Sequence, residues 1–83
     1  MELRKDVYDR MDKDVLGKLL TNPGAYKAWV VCLLEGIGAD EMLNSHRLYE
    51  KHGLNPRTLR THEKIINQGL DEYYYVESLF GGK

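Results

Sequence analysis

The sequence predicts a mainly α protein, a single compact helical domain of 83 residues. Three observations carry this expectation. Apolar residues recur every four positions near the N-terminus. Two Asn–Pro steps, at 22–23 and 55–56, are helix starts. Glycines at 36, 53 and 69 stand where helical stretches should stop.

In the first element, Leu3, Val7, Met11, Val15 and Leu19 form the apolar stripe of one amphipathic helix over residues 3–20, within an N-terminal segment 1–20. Tyr8, Leu16 and Leu20 flank the stripe, and Gly17 weakens the helix by about 1 kcal/mol relative to alanine. The second element, 22–36, has Asn22 as N-cap, Pro23 as first helical residue and Gly36 as C-cap. Ala28 to Leu34 is apolar on nearly every side, so this helix should run through the centre, with Tyr26 and Trp29 as core anchors. Cys32 lies in the same run. As a lone cysteine it can form no internal disulfide, and it reads as a small buried hydrophobe.

Residues 44–69 have the order helix, glycine turn, helix. A short connection ends at Leu43, and a helix capped by Asn44 or Ser45 runs to His52, turning Leu43 and Leu48 inward. Gly53 supplies a left-handed turn residue, Leu54 an apolar plug, Asn55 an N-cap and Pro56 the start of a helix ending near Gly69. Leu59 and Ile66 face inward on it. That order is a helix-turn-helix core. The remaining segment, 70–83, is open between a short strand, from the β propensity of Tyr73 to Val76, and a short helix capped by Asp71.

Charge points to the same region. Residues 1–43 carry six basic and eight acidic side chains, net −2. Residues 44–64 carry Arg47, Lys51, Arg57, Arg60 and Lys64 against Glu50 and Glu63, net +3, together with His46, His52 and His62. Residues 65–83 return to −2. A basic segment between acidic flanks directs one surface at phosphate. With Leu59 and Ile66 inward, the outward set is Arg57, Thr58, Arg60, Thr61 and Lys64. Arginine can bridge guanine O6 and N7, and threonine can meet a base methyl or a phosphate. The N-terminal turn of the helix would add backbone N–H groups. His46, Arg47 and Lys51, on the preceding helix, would contact the DNA backbone.

The stretch "SHRLYEKHGLNPRTLRTHEKII" resembles the helix-turn-helix of winged-helix regulators and of phage and plasmid replication-initiation domains, with "NPGAYKAWVVCLLEG" similar to the apolar helix before the motif in replication-organiser domains. The likeness covers roughly residues 22–70 and is most specific over 53–66. It implies a duplex-DNA-binding protein of bacterial or phage origin, a transcription regulator or replication accessory, with Gly53 as the turn and Leu54 as the plug. Three residues depart from the pattern: Tyr49 stands where the family usually has alanine, and His52 and Glu63 where it is commonly apolar. A winged domain would also show two strands after the motif, and only one strand-like run follows. Such a strand could pair with its twin in a homodimer reading two half-sites.

The alternative is a protein-binding module, a phage-type inhibitor whose acidic, Tyr-rich end docks on a host protein through Tyr73, Tyr74, Tyr75 and Phe80. No enzyme activity, metal site or cofactor is expected. No nucleophile neighbours a histidine in sequence, and His46 and His52, six apart, do not share a helix face. The longest apolar run is far shorter than the roughly 20 residues of a membrane span. The charged N-terminus lacks a signal-peptide core, so cytoplasm is the expected compartment.

Overall fold

The computed structural model of the chain describes residues 3–80. They form seven helices and, among the described residues, no strand: α1 (Lys5–Arg10), α2 (Lys13–Thr21), α3 (Pro23–Glu35), α4 (Ala39–Leu43), α5 (His46–Lys51), α6 (Pro56–Thr61) and α7 (Glu63–Leu79). The mainly α fold is as expected.

The N-terminal helix is two helices, not one. Met11 adopts an extended backbone (φ −68°, ψ 153°), and the Asp12 carboxylate caps α2 by accepting from the Asp14 N–H at 2.8 Å. The free N–H of Asp12 donates to Glu72 on α7 at 2.9 Å, which holds the break against the body of the protein. The four-residue stripe survives, because Val7, Met11, Val15 and Leu19 all remain buried.

Pro23 opens α3 as expected, but Asn22 does not cap it. Its side-chain amide donates to the Lys18 carbonyl, so it closes α2 instead. Gly36, at φ 72°, ends α3 with its N–H on the Cys32 carbonyl. Trp29 is fully buried, with Tyr26 and Tyr8 tilted against it and Tyr73 meeting it edge-on at 6.3 Å.

The segment before the glycine turn holds a helix where the sequence suggests only a connection. Glu41 accepts from the Gly38 N–H and Asn67 from the Ala39 N–H, both at 3.0 Å, and these two bonds start α4. Ser45 precedes α5, and Leu43 and Leu48 both pack partly on the core.

α7 is the longest element and touches α1, α2, α3, α4 and α6. It passes straight through Gly69, where the sequence suggested an end. A β-carbon at Gly69 would lie 2.7 Å from Leu19 Cδ1 and 2.9 Å from the Trp29 indole. This glycine is the place where α7 crosses α2 and α3 at close range. The Tyr-rich segment is therefore the second half of a 17-residue helix. It has no strand to offer a wing or a twin, so strand pairing between two copies is withdrawn as a route to a dimer.

Candidate nucleic-acid interface

The turn before α6 is built as its residue types require. Gly53 takes φ 67°, Leu54 is buried, and the Leu54 N–H bonds back to the Tyr49 carbonyl at 2.7 Å. Asn55 accepts from the Arg57 N–H at 2.8 Å, and Pro56 is the first helical residue. Two features differ from the expected helix pair. First, the helix beginning at Pro56 bends after Thr61: His62 sits at φ −111°, ψ 17° and joins the six residues of α6 to α7. Neither proline nor glycine stands at the bend. Second, α6 rests on α3, α4 and α7, while α5 rests on α4, whereas in a helix-turn-helix the first helix braces the second.

With Leu59 buried, Arg57, Arg60 and Thr61 are exposed on α6, as is Lys64 on the first turn of α7. Thr58 does not join them. It is half-buried with its methyl turned to Gly24, where an added β-carbon would lie 2.8 Å from Thr58 Cγ2. Its apolar surface seats α6 on the start of α3. The first backbone donor of α6 is also taken, since Asn55 holds the Arg57 N–H.

The cations expected to contact the backbone from α5 are less free. His46 pairs with Glu50 at 3.4 Å and leans edge-on against Tyr49. Lys51 Nζ lies 3.8 Å from Glu35, and His52 Nε2 is 2.6 Å from the same oxygen. The His52 bond, opposed by partial burial and helped by Lys51, holds the Glu35 carboxyl below its ordinary value. The departure at His52 is thus accounted for: a polar residue there ties the turn to the end of α3. Arg47 is exposed, with no carboxylate within 4.0 Å among the described residues.

Two clefts lie along this region, one at α6 and one at the start of α7. One is lined by Gly24 and Lys27 of α3 together with Gly53, Asn55 and Thr58. The other brings Lys18 of α2 beside Lys64, Gln68 and Asp71 of α7. The sequence pattern does not single out either lysine, since both precede the basic segment by 17 residues or more and enter this region only through the close α3–α6 and α2–α7 packing.

Of the aromatic set proposed for a protein partner, Tyr73 is fully buried in the core, and its hydroxyl accepts from the Arg4 N–H at 3.0 Å. It is withdrawn as an anchor. Tyr74 is 41% exposed and Tyr75 61% exposed, and Phe80 lies beneath the Arg4 and Arg10 guanidinium groups. Cys32 is buried, and burial, with Asp40 and Glu41 nearby, pushes its thiol up to about 11, so it is a packing group. Among the described residues, no helix is long and apolar enough to cross a membrane.

No known protein family, characterised protein or solved structure matches this chain.

Proposed function

We propose that the chain binds duplex DNA through the exposed face of α6 and the start of α7, as a small regulator or replication accessory of bacterial or phage origin. One observation carries this reading. Arg57, Arg60 and Lys64 are exposed and have no carboxylate within 4.0 Å among the described residues, whereas Lys5 and Lys51 each have one and Arg4 has two. Three uncompensated charges on adjoining turns give this surface a positive potential that attracts an anion. Arg57 and Arg60 can meet guanine edges or phosphates, and Lys64 a phosphate.

The test is a fluorescence-anisotropy titration of random-sequence duplex at low and near-physiological salt, comparing wild type with Arg57→Ala/Arg60→Ala. Salt-sensitive binding that the double variant loses is the expected result, because each phosphate contact steepens the salt dependence by about 0.9 in the log–log slope. A folded wild-type protein that leaves the duplex free at low salt would refute the proposal.

A second reading rests on Tyr75 and Leu79, which are four residues apart on α7 and 61% and 65% exposed. Exposed apolar groups at that spacing suit a protein partner, with Tyr74 and Phe80 beside them. Under this reading the tyrosine variants lose the partner and the arginine variants keep it.

A further inference from the structure

The polar partners of the cations separate them into two populations. Among the described residues, Arg4, Lys5 and Lys51 have carboxylate partners, Arg10 lies over the Phe80 ring, and Lys13 donates to the Asp9 carbonyl. Lys18, Lys27, Arg47, Arg57, Arg60 and Lys64 have no carboxylate within 4.0 Å. Five of these six belong to α6, to the first turn of α7, or to the two clefts beside them.

Packing brings them together. Gly24 admits Thr58 at a distance that no larger residue would allow, and this seats the start of α3 on α6. Lys27, one turn further on, then reaches the glycine turn, with Nζ 3.7 Å from where a Gly53 β-carbon would stand. At the starting end of α7, Lys18 shares a cleft with Lys64 and Gln68. The acidic groups near this end are Asp71 in the same cleft, Asp14 one turn before Lys18, and half-buried Glu63. None of the three lies within 4.0 Å of a described lysine or arginine nitrogen.

Lysine is a compact charge on a flexible stem. It suits a phosphate oxygen better than the edge of a base, for which the planar fork of arginine is made. The placement therefore assigns different tasks to the two residue types. We infer that Lys27, beside the turn that precedes α6, and Lys18, beside the first turns of α7, hold the phosphate backbone of the duplex while Arg57 and Arg60 face the groove. This inference rests on the DNA-binding reading above and extends the interface to α2 and α3.

The experiment measures the salt dependence of binding to a random-sequence duplex for wild type, Lys18→Gln/Lys27→Gln, Arg57→Ala/Arg60→Ala and Lys5→Gln, with circular dichroism as a check of folding. Loss of two phosphate contacts should flatten the log–log slope by about 1.8, so that raising salt fourfold costs the lysine variant roughly 12-fold less affinity than wild type. The Lys5→Gln control, which removes a charge already paired with Asp9, should keep the wild-type slope. A wild-type slope in the lysine variant, with binding still lost in the arginine variant, overturns the inference and leaves the DNA reading standing. Equal flattening by Lys5→Gln overturns it too, because net charge alone would then be responsible. If wild type itself does not bind at low salt, the underlying reading fails and takes the inference with it.

Discussion

Replacing Gly69 by alanine sets two effects of known sign against each other. Alanine is better than glycine inside a helix by about 1 kcal/mol, and Gly69 is well inside α7. The added β-carbon, however, would stand 2.7 Å from Leu19 Cδ1 and 2.9 Å from Trp29 Cδ1 and Nε1. Leu19 and Trp29 are both fully buried, and the indole is rigid, so neither can yield without moving its neighbours. Overpacking of this kind costs about 1–3 kcal/mol. Gly17→Ala is the matched comparison: it lies inside α2, is exposed, and its β-carbon would meet nothing within 4 Å. The propensity gain is common to both variants and cancels in their difference, which isolates the cost of the crossing. Gly17→Ala should stabilise by about 1 kcal/mol, raising Tm by about 4–8 °C in a domain of this size. Gly69→Ala should fall below it by about 1–3 kcal/mol. Thermal unfolding followed by circular dichroism at 222 nm measures both. Equal midpoints would show that α7 does not cross α2 and α3 at this glycine, and the packing described above would be wrong.

Other expectations follow from single contacts. Tyr73→Phe removes the acceptor of the Arg4 N–H and should cost about 0.5–1.5 kcal/mol in urea denaturation, while Tyr75→Phe, on the exposed side, should change stability by less than about 0.5 kcal/mol. For Glu35, whose carboxyl is held low chiefly by His52, the folded state binds its proton less readily than the unfolded chain does. Its contribution is complete above the ordinary carboxylate value of 4.5 and is lost as pH falls through the lowered one. Melting temperatures of wild type and Glu35→Gln should therefore differ at neutral pH and converge in acid. Parallel curves down to the lowest pH would remove the Glu35–His52 contact as a source of stability.

The punctuation of this chain is readable at most of the steps that depend on one residue and its neighbours. Gly36 and Gly53 take positive φ, Leu54 plugs the corner, and Asn55 and Pro56 start α6, all from short-range backbone chemistry. Asn22 departs from its expected cap through a local bond to the Lys18 carbonyl, and elsewhere the deciding partner is distant. The apolar stripe of residues 3–19 cannot reveal the break at Met11, because both halves bury the same stripe and the bond that fixes the break comes from Glu72, 60 residues away. Gly69 resembled a helix end until Leu19 and Trp29 were in place beside it, although the burial of Ile66, Leu70, Tyr73 and Val76 at helical spacing runs on through it. That spacing was the signal that could have decided between helix and strand at 70–80. The site divides in the same way. Arg57, Arg60 and Lys64 were legible from the local pattern, and the inward turn of Thr58 was not, because it answers to Gly24.

The burial of Cys32 has a practical consequence. The thiolate is the form that attacks thiol reagents, and with the thiol near 11 only about one molecule in a thousand would carry it at pH 8. The sulfur is also inaccessible, being fully enclosed within α3 at the centre of the domain. Modification by a chromogenic disulfide thus proceeds through molecules whose core has opened, where the thiol regains ordinary reactivity. As the lone cysteine of the chain, Cys32 makes colour development a readout of core opening, reporting the open population when reclosing is fast and the opening rate when the reagent outpaces it.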